Sequence, residues 1–385
     1  MGNDVSSSSA DQKFTDAFIP MSGMRMDNEK ANGIKKLPIQ NSRSRKTYVV
    51  KTAFTGVWSL EQTNSINTPQ PRTGQFYCQH KTRNWVITGF GIDGNSNYFN
   101  DIWILDINTH QWCQLNTIGE MISPRSGCHA SLINDTLFVF GGCCMSQFYN
   151  DFYAIDLNTG QTQQIQSNSV TPSPRCSGIF GSYQNQLFLW GGFNGVWPSE
   201  LCIFDLSTNQ WNIIPQEIGG RSNVAYEIID NLIYGYGSSK TGGLLVIDME
   251  AKTVSVQQTT GPEPFPTITD GTLIHFDNYL MFIGGKAPSH SMFLYGIGLK
   301  HFRWFVFHVL PDGESVSTAD GTISELGLFM LPRMHSMGAA YDERRREIVA
   351  FMGYPGGDRL SLFVVNVGEA LSFLHLKNDM LEIIQ

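Results

Sequence analysis

Two groups of residues near the amino end have the types and spacing of a lipid anchor. The chain opens Met1-Gly2-Asn3-Asp4-Val5-Ser6. Removal of Met1 would leave Gly2 at the terminus with a hydroxyl at the sixth position, the pattern of N-myristoylation. Farther on, Lys35, Lys36, Arg43, Arg45, Lys46 and Lys51 place six cations in a stretch free of Asp and Glu. One acyl chain alone holds a membrane marginally, whereas an acyl chain with a basic cluster holds it stably. Gly2 is therefore a candidate lipidation site and the six cations a candidate membrane contact. Against these stand a chance match to a short motif and a solvated linker.

Arg72, Arg125, Arg175, Arg221 and Arg333 each stand just ahead of an apolar run, all but Arg221 as Pro-Arg. Guanidinium forks match carboxylates and phosphates, so five displayed together would favour an acidic peptide or an anion. The other reading, favoured here, pairs each Arg with local carbonyls or with acids such as Asp101 and Asp151. Between other runs lie Tyr98 and Phe99, Phe148 and Tyr149, Phe193 and Trp197. Aromatic and Arg side chains dominate protein interfaces, and as a set these aromatics are the best candidate partner-binding surface. Half of them folding back over the structure is an equal reading for each residue. His129 and His335 are read as structural.

Signals for catalysis are weak. Gly89-Phe90-Gly91-Ile92-Asp93-Gly94 satisfies G-x-G-x-x-G after an apolar run. A dinucleotide site also needs a helix directly afterwards to receive the pyrophosphate, and Asn95-Ser96-Asn97-Tyr98 leads into another strand instead. Cys143-Cys144 is an adjacent pair with no ligand spacing around it. The expectation is no cofactor, no metal and no catalytic cluster.

The elements that must position these residues repeat. Leu137-Phe138-Val139-Phe140-Gly141-Gly142 leads through a polar loop to Asp151-Phe152-Tyr153-Ala154-Ile155-Asp156. The tract returns as Leu187-Phe188-Leu189-Trp190-Gly191-Gly192, then Leu201-Cys202-Ile203-Phe204-Asp205 and Trp211. An earlier copy runs Trp85-Val86-Ile87-Thr88-Gly89-Phe90-Gly91, then Asp101-Ile102-Trp103-Ile104-Leu105-Asp106 and Trp112. A period of about 45 to 50 residues made only of strands and tight turns predicts four-stranded units that pack face to face around an axis. The glycines, Gly141, Gly142, Gly191, Gly192, Gly284 and Gly285 among them, permit positive φ or close backbone approach. Trp58, Trp112 and Trp211 are expected to anchor the interfaces between units.

This pattern, with its Pro-Arg before the first strand, resembles the kelch repeat, one blade of a β-propeller. The resemblance covers about residues 47–376, strongly in units one to three and weakly in four to six. Glycine markers give six units, with a seventh partial blade as the alternative. The fourth unit has no Trp, the second carries Gln163-Gln164 near that position, and Trp304 reads as displaced. A polar stretch near Pro311 to Glu325 reads as a loop inserted between units five and six. Tyr48-Val49-Val50 and Val57-Trp58-Ser59-Leu60 at one end, with Leu362–Val367 and Leu371–Leu374 at the other, suggest that an amino-terminal strand completes the last blade and protects its edge. Some kelch-like propellers are enzymes, but their Tyr/His copper cluster and Glu-x3-Asp-x3-His run have no counterpart here.

The fold expected is thus an all-β, six-bladed propeller over 47–376, with a flexible basic arm at 1–46 and a short tail at 377–385. Low hydrophobicity and the absence of periodicity mark the arm. A net charge of −8 with 16% charged residues gives no reason to expect nucleic acid. Seven cysteines without a framework argue for a reducing compartment, and no apolar run reaches the roughly 18 residues of a membrane helix. The function expected is a non-catalytic interaction scaffold or adaptor: a cytoplasmic monomer with a protein partner, tethered by its arm to an anionic membrane surface. The alternative is a propeller acting on a small molecule or sugar at the channel mouth.

Overall fold

The computed structural model describes residues 55–63, 65–286, 291–317, 322–323, 329–332, 334–353 and 361–367. Every regular element among them is a strand, and the strands form six antiparallel blades. Blade one is Phe76–His80, Trp85–Gly89, Ile102–Asp106 and Gln111–Leu115. Blade two is His129–Ile133, Thr136–Cys144, Gln147–Asp156 and Gln161–Gln164, with Ile118–Gly119 added outside. Blade three is Ile179–Tyr183, Gln186–Trp190, Leu201–Asp205 and Gln210–Ile214, and blade four is Ala225–Ile229, Leu232–Tyr236, Leu244–Asp248 and Thr253–Gln257. Blade five is Thr269–Phe276, Tyr279–Lys286, Leu294–Gly298 and Arg303–Pro311. Blade six takes Gly338–Asp342, Glu347–Phe351 and Ser361–Asn366 from the carboxyl side and Thr55–Gln62 from the amino side.

That last pairing is the clasp. Val57 opposes Asn366 and Trp58 opposes Val365, the register in which Gln111 opposes Asp106 and Trp112 opposes Leu105 in blade one. The ring therefore closes at six blades, without a seventh among the described residues. Tyr48–Val50 and Leu371–Leu374 lie outside them. From the stretch read as an insertion, Thr322–Ile323 pairs with Phe329–Pro332, which pairs in turn with Ser291–Met292 to make a small separate sheet.

Strand alternation explains why the runs are apolar throughout. Adjacent residues of a strand point to opposite faces, and here both faces are covered by another blade. In blade one, Val86 and Leu105 pack with Val349 and Val364 of blade six, while Ile87 and Ile104 pack with Leu137 and Ile155 of blade two. The buried residues sort into six clusters, one per seam.

The outer-strand tryptophans reach back across these seams. Trp112 meets Phe351 of blade six edge-on at 5.3 Å, and Trp211 meets Phe140 and Phe152 of blade two at 5.4 and 5.7 Å. Trp304 does the same with Tyr236 of blade four at 4.8 Å. It opposes Ile297 in the register of Trp112 and Trp211, so it is not displaced. The corresponding places in blades two and four hold Thr162 and Val254.

Turns follow side-chain chemistry. Asp106 Oδ1 at the end of a third strand accepts from the backbone N–H groups of Asn108 (2.8 Å) and Thr109 (3.1 Å), and Asp156, Asp205 and Asp248 repeat the turn. At the opposite end of the blades, Gly141 and Gly142 have φ of 65° and 99°. A Cβ on Gly141 would lie 2.7 Å from Arg175 O, so this site excludes larger residues.

A further ring lies where the first strands begin. Gly74, Gly127, Ser177, Asn223, Asp270 and Ser336 all have positive φ. Gly127 N donates to Gly74 O (2.7 Å), Ser177 to Gly127 (2.8 Å), Asn223 to Ser177 (2.8 Å), Asp270 to Asn223 (3.1 Å) and Ser336 to Asp270 (2.8 Å). The sixth link is a side chain: Gln75 Nε2 donates to Ser336 O at 2.6 Å. All six blades are thus tied by one hydrogen-bonded circle around the channel mouth.

Candidate binding face

Antiparallel order places the starts of the first and third strands and the ends of the second on one face, termed upper here. The arginines and the aromatic loops both lie there.

Arg72 is buried and fully engaged. Its Nε donates to Gln70 O (2.9 Å), Nη1 to Phe90 O (3.1 Å) and Nη2 to Asp101 Oδ2 (3.0 Å), with Phe99 lying 4.1 Å over the guanidinium. Burial pushes the Asp101 carboxyl up, but the Arg72 charge and hydrogen bonds outweigh it and hold Asp101 below the usual range. Arg125 repeats the clamp with Ser123 O (3.0 Å), Gly141 O (3.2 Å) and Asp151 (2.5 Å), under the Tyr149 ring at 3.7 Å. Arg175 does so with Ser173 O (3.1 Å), Gly191 O (3.2 Å) and Glu200. These three guanidiniums fasten the strand-leading segment to the loop between second and third strands. They are withdrawn from the surface a partner would meet, and they form no displayed ring.

Arg221 breaks the pattern. Gly243 stands directly ahead of the third strand of blade four, where blades one and three have Asp101 and Glu200 and the longer third strand of blade two carries Asp151. Arg221 is buried without a carboxylate, its Nη1 has no hydrogen-bond partner, and burial pushes its pKa down. Arg333 lies outside the described residues, and its neighbour takes the structural place. Gly285 N donates to Met334 O (2.8 Å) just as Gly142 N donates to Arg175 O (2.9 Å). Met334 therefore occupies in blade six the place that Arg175 holds in blade three.

The aromatics divide into two sets. Phe99 and Tyr149 fold down as covers for Arg72 and Arg125. The rest join across the blades. The Tyr98 hydroxyl of blade one accepts from Met145 N of blade two at 3.0 Å. Phe148 of blade two meets Phe193 of blade three edge-on at 6.0 Å, and Phe193 meets Trp197 at 5.2 Å. Trp197 Nε1 is tied to Ser222 Oγ at 3.2 Å. Met145, Val196 and Trp197 are 83%, 64% and 57% exposed, so an apolar ridge stands in solvent above blades two and three. The hairpin that raises Met145 is the continuation of second and third strands in blade two beyond Gly142, across a register shift at Phe140/Gly142.

A thiol pair lies at the foot of this ridge. Cys143 is bridged to Ser126, and Cys176 to Phe193. A hydrogen bond from Cys176 lowers the Cys143 thiol well below the usual range, while Cys176 is pushed up. His129 is structural: its ring accepts from Gly178 N at 2.8 Å, bonds Phe140 O at 3.0 Å, and is held neutral by burial, with its pKa lowered to about 4. Among the described residues no group of three or more His, Cys, Asp or Glu is arranged to hold a metal. No helix among them is long and apolar enough to cross a membrane. Gly2, Lys35, Lys36, Arg43, Arg45, Lys46 and Lys51 lie outside the described residues.

Residues 36–238 match the KLHDC2/KLHL20/DRC7 kelch-repeats domain. Among curated proteins, the chain is 40% identical over 52 residues to Tip elongation aberrant protein 1 of Schizosaccharomyces pombe, covering 14% of this chain and 4% of that protein. It is 32% identical over 88 residues to Host cell factor 2 of Homo sapiens, covering 22% of this chain and 11% of that protein. The chain thus matches only a small part of each relative's length.

Proposed function

The chain belongs to the kelch-repeat family, and on that premise we propose that it is a non-catalytic scaffold that captures a protein partner on its upper face. The observation that carries this reading is the ridge of Met145, Phe148, Phe193, Val196 and Trp197, apolar, solvent-facing and continuous over two blades. Buried clamps beneath it make the loops rigid, so little conformational entropy is lost on docking. A partner with an apolar segment would bury the central aromatics and leave Tyr98 and the surrounding loop polar groups as a rim.

The test is affinity capture with the wild type, with Phe193→Ala/Trp197→Ala, and with Val170→Ala as an exposed apolar control outside the ridge residues. Partners lost by the ridge variant and kept by the control support the reading. Equal capture by all three proteins overturns it.

The second part of the reading concerns the arm. Gly2 carries an acyl chain and Lys35, Lys36, Arg43, Arg45, Lys46 and Lys51 supply the electrostatic second signal, placing the propeller at the cytosolic face of a membrane. The motif and the acid-free cationic run support this. Mass spectrometry of the mature amino terminus decides it: an unmodified Gly2 or a retained Met1 ends the acylation reading.

A further inference from the structure

The channel on the ring axis encloses about 380 Å³ and is walled by first strands from all six blades, a size within the range of small-molecule sites. Four residues beyond each member of the hydrogen-bonded circle, the sequence brings Cys78, Ser131, Gly181, Glu227, Ile274 and Ala340 to one level. Glu227 is the one carboxylate at that level, and it lines the channel.

This carboxylate has no hydrogen bond or ion pair among the described residues. The groups around it are engaged elsewhere. The Tyr77 hydroxyl is hydrogen-bonded with Thr272, and Tyr226 donates to Phe180 O at 3.2 Å. The Cys78 thiol, pushed up to about 12 by burial and then by the Glu227 charge, keeps its proton. Asp270 is paired with Lys286 at 3.1 Å, and the His275 ring bonds Asp277 O at 2.6 Å. Lys81, exposed and lining the channel, is the cation whose charge Glu227 feels, and Asp230 on the next turn is also exposed. Burial in this setting raises the Glu227 carboxyl to about 7. An isolated acid in a narrow cavity lacks the one thing that would favour its ionised form, a positive charge within hydrogen-bond reach.

We propose that the channel is a binding site for a small organic cation, a primary ammonium or guanidinium group, held by Glu227 against the polar wall of the first strands. Ser182 Oγ and Gln79 Oε1 line the same channel as further acceptors for its N–H groups. This site is separate from the ridge. The cation arrives either as a free amine or as the side chain of a Lys or Arg residue.

Titration calorimetry with butylammonium chloride and with N-acetyl-lysine amide tests both sources, with butanol as the neutral control. Saturable binding of at least one cation is expected at pH 8, and which one binds identifies the source. Only ionised Glu227 attracts the cation, so with a carboxyl at about 7 the affinity falls about tenfold between pH 8 and pH 6. Glu227→Gln, with its circular dichroism and melting checked, should abolish binding. Trp197→Ala, which disables the ridge, should leave it unchanged, so the two readings fail separately. No cation binding at pH 8, equal binding of butanol, or undiminished binding by Glu227→Gln overturns the proposal.

Discussion

Trp58 stacks on Phe363 with ring centroids 6.3 Å apart and planes 11° from parallel. The two residues come from opposite ends of the chain, and with Ile283, Leu294 and Phe307 they belong to the core shared by blades five and six. Trp58→Ala should cost about 3–5 kcal/mol in urea unfolding, the range for removing a buried Trp. A double-mutant cycle with Phe363→Ala should show a coupling of about 0.5–1.5 kcal/mol. A loss under about 1 kcal/mol would mean that the clasp contributes little to holding the ring closed.

The arginines give a prediction of opposite signs. Arg175→Met strands Glu200 and breaks four hydrogen bonds to Ser173, Gly191 and Glu200, so it should destabilise by about 3 kcal/mol, the low end for a broken ion pair because Glu200 is partly exposed. Arg221→Met removes a buried charge that has no carboxylate, and should be neutral or stabilising by about 1 kcal/mol. Equal losses in the two variants would show that Arg221 is satisfied after all.

Glu227 makes stability depend on pH in a defined sense. Its folded pKa, about 7, lies above its ordinary 4.5. The fold binds the proton more tightly, so this contribution is complete below about pH 4.5 and is lost as pH rises through 7. Wild type should therefore lose about 2 kcal/mol relative to Glu227→Gln between pH 4.5 and 8, a figure reduced by water in the channel. Parallel stability curves for the two proteins across this window would contradict the assigned burial.

The thiols should differ in reactivity. Cys143 is half-buried, receives the Cys176 hydrogen bond, and lies 3.8 Å from Ser126 Oγ. Burial keeps Cys128 and Cys202 protonated, with Cys202 pushed up to about 12. Timed iodoacetamide labelling at pH 7, read by peptide mass spectrometry, should therefore modify Cys143 ahead of Cys128, Cys176 and Cys202. Cys176→Ala should slow it, and an unchanged rate would rule out Cys176 as the activating group.

The propeller was legible in the sequence because its turns need particular atoms. Gly141-Gly142 supplies positive φ, Asp106 and Asp205 supply turn acceptors, and Trp112 and Trp211 fill the seams. Trp304 escaped the pattern because Lys300-His301-Phe302-Arg303 hides the register, and only pairing with Ile297 reveals it. Met334 was overlooked for the converse reason, since a Pro-Arg pair is visible in sequence whereas its place is set by the hydrogen bond that Gly285 N donates to Met334 O. Of the aromatics, sequence identified the loops but not the division of labour: Phe99 and Phe148 look alike until Arg72 is seen beneath the former. Glu227 carried no signal, because a lone Glu in a strand faces a channel only once six strands have assembled around it.

The circle at the channel mouth has an electrostatic consequence. Its amide groups all point the same way around the axis, donor following acceptor from Gly74 to Ser336 and back through Gln75. Dipoles laid head to tail in a straight line add, as they do along a helix; laid tangentially around a closed ring they sum to zero. The circle itself therefore adds no net dipole along the axis, although it is built from peptide groups. Charge selection along the axis is then left largely to the side chains that line it, Glu227 at mid-level with Lys81 and Asp230 nearer its other end.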